Sequence, residues 1–365
     1  MGRLHFFKGN FSVSIQSDRS REVVALSRNP RRMPENWTPP EPAWAASFDA
    51  QVHPVVMGYF GTQLAKGDTG PRPHRLCDFF EGEDAPSNFE SASYIDRVGR
   101  RNLISVAYWT ESARYERWNH RRFASWWSDA ARVREDVGHF REILVVPCER
   151  FETIFSFDYK VGVAKVGGPA VGPIREHGYW GSMRDRLAVS SNDDLISSYG
   201  ETLPRFGTSE TFGRRLRVQA PQNLVVIRSG QDWTECAGAQ RDFYSESIAP
   251  TLRDAMHSLR DSPNETGCCE MRFAQQLDRQ GAPLTKTFGL GYFLSLEQLE
   301  HWAATDPKHQ MILAHFMKMA GDYRSALKLK LWHEVSVLPA VGQTFEYLNC
   351  HPETGLLPYF PTIEV

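Results

Sequence analysis

The chain has no excess of charge. Forty-two Lys and Arg stand against 44 Asp and Glu, a formal net charge of -2 over 365 residues. The global basic field that draws in phosphate backbones is therefore missing, and no nucleic-acid partner is expected. Long apolar runs are missing too. None approaches the roughly 18 residues that span a bilayer, and the opening "MGRLHFFKGNFSVS" lacks a signal-peptide core, so a cytoplasmic protein without a membrane partner is expected. Six cysteines, Cys77, Cys148, Cys236, Cys268, Cys269 and Cys350, show no C-x-x-C spacing, and the adjacent Cys268 and Cys269 are poorly placed to bridge each other. They read as reduced thiols. There is no H-x-x-x-H with a helpful acid, no cysteine set and no two-histidine-one-carboxylate pattern, which argues against a metal held by side chains alone.

What is present is a globular composition, 41% apolar and 12% aromatic, enough to fill a substantial core. Residues 1–45 are rich in Arg, Ser and Pro and end in "MPENWTPPEPAW", which favours an extended arm over a packed element. An acid-poor start of this kind also resembles a transit peptide, but no clean amphipathic helix follows it.

Beyond the arm the chain repeats itself. "NLISVAYWTESARYERW" (102–118) and "TKTFGLGYFLSLEQLEHW" (285–302) both run from a strand ending in two aromatics, through a Thr or Ser N-cap, into a helix with Trp nine residues after the second aromatic. The offset is 184. "FREILVVP" (140–147) then matches "WHEVSVLP" (332–339) at an offset of 192, so the second copy holds about eight extra residues, including "DPKHQ". "VVMGYFGTQ" (55–63) parallels "VVIRSGQD" (225–232), each followed by a helical stretch and another strand. The order β-α-β-β-α-β, twice, predicts an α+β fold of duplicated ferredoxin-like halves, forming a barrel-like core with helices outside. The expected organisation is an arm (1–45), a first half (46–157), a connecting segment (158–220) and a second half (221–365), all within one compact domain.

Positions kept for the fold should read alike in both copies, so differences point to function. His333 stands where the first copy has Arg141, Ser229 where it has Phe60, and His309 lies in the insertion. Asp306 and Pro307 form an N-cap and N1 pair that starts a helix at His309 and runs to about Ala320. As an isolated residue His309 is ordinarily a surface or capping histidine. As a ligand it needs a cofactor that supplies the remaining bonds, as a porphyrin does. His333 shares a strand face with Val335 and Val337, opposite Glu334 and Ser336, and is sequestered if that face is the barrel interior. A buried histidine is more often a satisfied core residue, yet it is also the side chain suited to acid-base work near neutral pH. Ser229 reads as a strand-end turn serine beside Gly230, and Arg184 and Arg186 as solvated charges, unless the Gly-, Tyr- and Trp-bearing "GYWGSMRDR" covers a flat ligand.

"EHGYWGSMRDR" (176–186), "NLVVIRSGQDW" (223–233), "LEHWAATDPKHQ" (299–310), "LWHEVSVL" (331–338) and "YLNCHPETGLLP" (347–358), together with "RFETIFSF" (150–157), closely resemble the haem-containing aldoxime dehydratases from about residue 35 onward. The resemblance implies conversion of an aldoxime, R-CH=N-OH, to a nitrile and water on a ferrous b-type haem that binds the substrate through nitrogen. It implies His309 as axial iron ligand, His333 as distal general acid and then base, Arg186 and Ser229 in the distal pocket, and Glu152 as a further residue tied to activity. It also suggests a homodimer. One departure is visible: the family often has His-Pro-Thr-His where this chain has Asp306-Pro307-Lys308-His309, which retains the ligand and alters its neighbours. Two other classes would share an axial histidine: a haem peroxidase or chlorite-decomposing enzyme on a related scaffold, and a haem-binding sensor.

Overall fold

The computed structural model describes residues 29–48, 54–68, 70, 76–207 and 210–365; most of the expected arm, residues 1–28, lies outside them. The strands are β1 (Val55–Gln63), β2 (Asn88–Ile95), β3 (Arg101–Trp109), β4 (Gly138–Val146), β5 (Phe151–Phe155), β6 (Arg215–Val218), β7 (Val225–Asp232), β8 (Cys268–Leu277), β9 (Pro283–Phe293), β10 (Lys330–Val337), β11 (Thr344–Leu348) and β12 (Thr362–Glu364). They form one antiparallel sheet in the order β12-β6-β11-β4-β1-β3-β2-β8-β9-β7-β10-β5, with every neighbouring pair antiparallel. The helices are α1 (Ser112–Trp118), α2 (Ala124–Ser128), α3 (Ser182–Arg186), α4 (Ala239–Phe243), α5 (Ala249–Asp261), α6 (Pro263–Thr266), α7 (Leu296–Thr305) and α8 (Pro307–Tyr323). The result is a mixed α/β fold built on a large antiparallel sheet.

Within that sheet β4-β1-β3-β2 and β10-β7-β9-β8 have the same internal order, and the two groups meet where β2 pairs with β8. The register bears out the matched positions of the repeat. Phe60 lies opposite Arg141 in the first group as Ser229 lies opposite His333 in the second. One face of the sheet is folded on itself, because side chains from distant strands meet there. Arg272 of β8 donates to Glu142 of β4 at 2.6 and 2.7 Å, and Tyr108 of β3 donates to Glu334 of β10 and accepts from Arg228 of β7. The other face carries the helices. On the first group it is filled by aromatic rings, with Phe60 touching Phe80, Trp109, Trp118 and Phe123 at centroid distances of 5.2–6.4 Å. On the second group the same face carries Ile227, Ser229, Gly289, Gly291 and His333, with Met256 of α5 and Met271 of β8 packed on the two glycines.

Four expectations need correction. The connection between β1 and β2 contains, among the described residues, only a 3₁₀ turn (Leu76–Phe79) and no long helix, whereas the second group has α4 and α5 there. The N-cap is Ser295 for α7, whose hydroxyl accepts from the Gln298 N–H, but for α1 it is Glu111, which makes no side-chain cap bond. Ser229 does not end its strand. β7 continues to Asp232, because Gly230 lets the Trp332 ring lie flat against the strand where a Cβ would collide at 2.3 Å. Finally, His333 faces the helix layer and not the folded interior; Glu334 takes the interior side because Tyr108 and the Val163 N–H satisfy its carboxylate there.

Candidate functional site

Three segments far apart in sequence bring Glu152, Arg186 and His333 together. β5 follows the first group in the chain but is laid beside β10, with Glu152 opposite Val335 and Ile154 opposite His333. α3, a single turn started by Gly181 at φ +94°, brings Arg186 over the same edge. Its guanidinium donates from Nε to Glu152 Oε2 at 2.7 Å, from one terminal nitrogen to the Glu176 carbonyl at 2.6 Å, and from the other to His333 Nε2 at 3.1 Å. Glu152 Oε1 lies 2.9 Å from the same His333 Nε2. Arg184, which the sequence leaves equivalent to Arg186, instead pairs with Glu300 of α7 at 3.0 Å.

This geometry gives one imidazole nitrogen two partners of opposite kind. Arg186 can only donate, so it supports the form of His333 with a lone pair at Nε2. Glu152 can only accept, so it supports the form with a proton there. Burial by itself pushes the Glu152 carboxyl up, but the Arg186 and His333 charges outweigh burial and hold it below its ordinary value. The ion pair therefore contributes stability in full above the unfolded carboxyl pKa and loses it as pH falls through the lower folded one. With Glu152 fully buried and Arg186 7% exposed, Glu152→Gln leaves a buried guanidinium without its countercharge. It is expected to lower stability by about 3–5 kcal/mol, read from the denaturant midpoint. Ser229 is directly across the ladder from His333, and its hydroxyl has no hydrogen-bond partner among the described residues, so it is available to a ligand.

His309 is held in the first turn of α8. Asp306 caps that helix, its Oδ1 accepting from the Lys308 and His309 N–H groups at 2.9 Å, and Pro307 takes N1, as the sequence predicts; the helix runs slightly further, to Tyr323. His309 Nδ1 lies 2.7 Å from the Ala303 carbonyl at the end of α7. A carbonyl can only accept, so the ring proton sits on Nδ1 and the Nε2 lone pair is left free, without a partner among the described residues. The ring is fixed further by Trp302, at a centroid distance of 4.8 Å. Burial lowers its basicity, as does the nearby charge on His333, which keeps Nε2 available to an electrophile.

In the apolar cluster that includes Trp302 and Val335, Ile227, Met183, Ala303 and Ile312 are each only partly buried. Gly289, opposite Ser229, and Gly291, opposite Ile227, make room for the Met256 and Met271 side chains, which a Cβ there would meet at 2.8 and 2.6 Å. A planar apolar cofactor with one open axial bond fits this donor set. A bare ion does not, since among the described residues no three His, Cys, Asp or Glu gather as ligands. No helix of the described residues is long and apolar enough to cross a membrane. A cavity of about 1050 Å³ lies elsewhere, around Glu90, Lys165, Asp232 and Lys330, whose charges are already paired with one another or with neighbours.

Of the five residues that sequence reasoning singled out, the structure brings Glu152, Arg186 and His333 into contact and sets Ser229 across the ladder from His333; what positions them was not foreseen. The carbonyls of Ala303 and Glu176 and the ring of Trp302 were not foreseen as functional. Trp302 alone left a signal, its recurrence at the place of Trp118.

Comparison with known proteins agrees with this geometry. The family model for haem-containing dehydratases matches residues 58–356. The chain is 39% identical over 333 residues to an aliphatic aldoxime dehydratase of Rhodococcus globerulus, covering 90% of this chain and 93% of that one. It is 34% identical over 343 residues to a phenylacetaldoxime dehydratase of Bacillus sp. (strain OxB-1), covering 92% and 96%. A crystal structure of an aldoxime dehydratase in complex with butyraldoxime superposes with a TM-score of 0.85 at 37% identity, covering 92% of this chain and 94% of that one. The chain belongs to the haem-containing dehydratase family.

Proposed function

We propose that this protein dehydrates aldoximes to nitriles and water with haem as its cofactor, that His309 Nε2 is the axial ligand, and that His333 is the acid and base. The observation that carries the reading is the placement of Glu152 and Arg186 on one nitrogen of His333, together with the His309 ring whose Nδ1 is held by the Ala303 carbonyl. Ferrous haem held there would supply electron density to the N–O bond of a substrate bound through nitrogen.

The side chains account for the rest. Hydroxide is a poor leaving group, so the departing oxygen needs a proton, and His333 in its Nε2-protonated, Glu152-paired form donates one. The neutral imidazole then takes the hydrogen from the aldoxime carbon, with Arg186 supporting the lone-pair form in which it starts that step. The proton count closes, and no external acid or base is consumed. Ser229 holds the hydroxyl close to His333, which limits misorientation. The partly uncovered Ile227, Met183 and Ile312 offer an apolar surface to the R group. A sensor needs the His309 side alone, and a peroxidase has no reason for the pairing of His333 with Ser229. The test is the absorption spectrum of dithionite-reduced protein with and without phenylacetaldoxime, together with nitrile detection. A spectral change with nitrile formation is expected, and reduced holoprotein that binds the aldoxime yet forms no nitrile rejects the assignment.

The same reading takes the two four-strand groups as duplicated ferredoxin-like halves around a barrel-like core, supported by their common strand order and matching register. It also takes the chain as one compact domain, homodimeric and cytoplasmic. Sedimentation of the holoprotein checks the dimer.

A further inference from the structure

The proline-rich arm takes no part in the chemistry above, yet its residues 29–45 run across the loop that delivers Arg186. Downstream, Trp44 bridges to Phe155 of β5 and Ala45 to Val171. Upstream, the Asn29 N–H donates to the Ser191 carbonyl. Between these ends most contacts fall on residues 174–185, and Arg32 also reaches Glu300 of α7 at 3.3 Å. Trp37 Nε1 donates to the His177 carbonyl at 2.9 Å, the Arg175 guanidinium donates to the Trp37 carbonyl at 3.0 Å, and the Trp37 ring sits edge-on to Tyr179 at 5.5 Å. The Arg32 N–H reaches both oxygens of Asp185 at 3.0 Å, and Tyr179 donates to Asp185 Oδ2 at 2.7 Å. The fit is close enough that a Cβ on Gly178 would meet Pro40 at 2.9 Å, and one on Gly181 would meet Arg32 at 2.5 Å.

Away from the arm the loop is fixed mainly at its far end, where Arg184 pairs with Glu300 and donates to the Asp194 carbonyl and Arg186 pairs with Glu152. α3 is one turn long and has no side-chain cap, and the Glu176 carbonyl that receives Arg186 belongs to no strand. A bond to the carbonyl next to it is therefore a direct constraint on where Arg186 points.

Resting on the function proposed above, we infer that residues 29–45 are a strap that aims Arg186 at His333, with Trp37 as its principal positioning residue. Its part is to set the rate of the chemical step and not the retention of haem or the binding of substrate. A misplacement on the order of 1 Å at a reacting centre costs up to about 100-fold, and a loosened loop that still visits the correct geometry costs less.

The experiment compares holoenzyme carrying Trp37→Ala, Trp37→Phe, Arg186→Ala and the Trp37→Ala/Arg186→Ala double substitution. Trp37→Ala is expected to keep its haem content and reduced spectrum, to leave KM within about twofold, and to lower kcat about 10-fold. Trp37→Phe retains the ring edge on Tyr179 and loses only the Nε1 bond, so its kcat should fall between the two. In the Arg186→Ala background the Trp37 substitution should cost nothing further, since there is no guanidinium left to aim. Wild-type kcat in both Trp37 variants, losses that multiply in the double substitution, or haem content falling in step with activity would overturn the strap. Full activity of Arg186→Ala alone would instead remove the distal-site reading itself, a result distinct from the others.

Discussion

His333→Ala is expected to load haem in full, to bind aldoxime in the reduced state, and to form nitrile about 10²–10⁴-fold more slowly, the range that a lost general acid-base group commands. The binding half follows because His333 makes no contact with the axial side, where Trp302 and Ala303 fix the His309 ring. The turnover half follows because no neighbour can take over both proton transfers. Arg186 is a permanent donor, and Glu152 is held ionised by the guanidinium beside it. The smaller side chain also leaves Glu152 and Arg186 paired, so the substitution should cost far less stability than Glu152→Gln. Single-turnover nitrile formation alongside an aldoxime titration of the reduced spectrum separates the two halves, and near-normal turnover removes the acid-base role.

His309→Ala should fail at the earlier stage. Losing one partner of a metal ligand already weakens a site by about 10–100-fold, so losing the ligand itself is expected to weaken haem retention by more than about 100-fold. His309→Gly opens the same space and should recover haem, its axial spectrum and part of its turnover when imidazole is added. The fold should survive both changes. The α8 start depends on the Asp306 carboxylate bonds to the main-chain N–H groups of residues 308 and 309, which any side chain at 309 preserves. A variant that keeps full haem with an unchanged axial spectrum would move the ligand elsewhere, and His315, six residues along α8, is the first place to look.

The repeat was legible because strand pairs and their covering helices leave the same period-two and helical pattern wherever they occur, and the register Phe60–Arg141 against Ser229–His333 matches it residue for residue. The start of α8 was legible because a cap is a local event within four residues. The face of His333 was not. Alternation divides a strand into two sets of side chains, but the set that meets the folded interior depends on partners 226 residues away, here Tyr108 for Glu334. The extent of β7 past Ser229 was hidden for a similar reason, since Gly230 reads as a turn signal until the Trp332 ring explains it. The strands β6, β11 and β12 were missed because strands of three to five residues carry too few positions to show a period.

Composition and local pattern thus determined that strands and helices both build the fold, and they singled out His309 and His333 for attention, because each is a property of neighbouring residues. Only the tertiary structure decided that Glu152 joins the second group's site, that Arg186 and not Arg184 reaches His333, and that the arm lies over the loop carrying it. Those outcomes depend on contacts separated by 34, 147 and 140 residues, which no local spacing encodes.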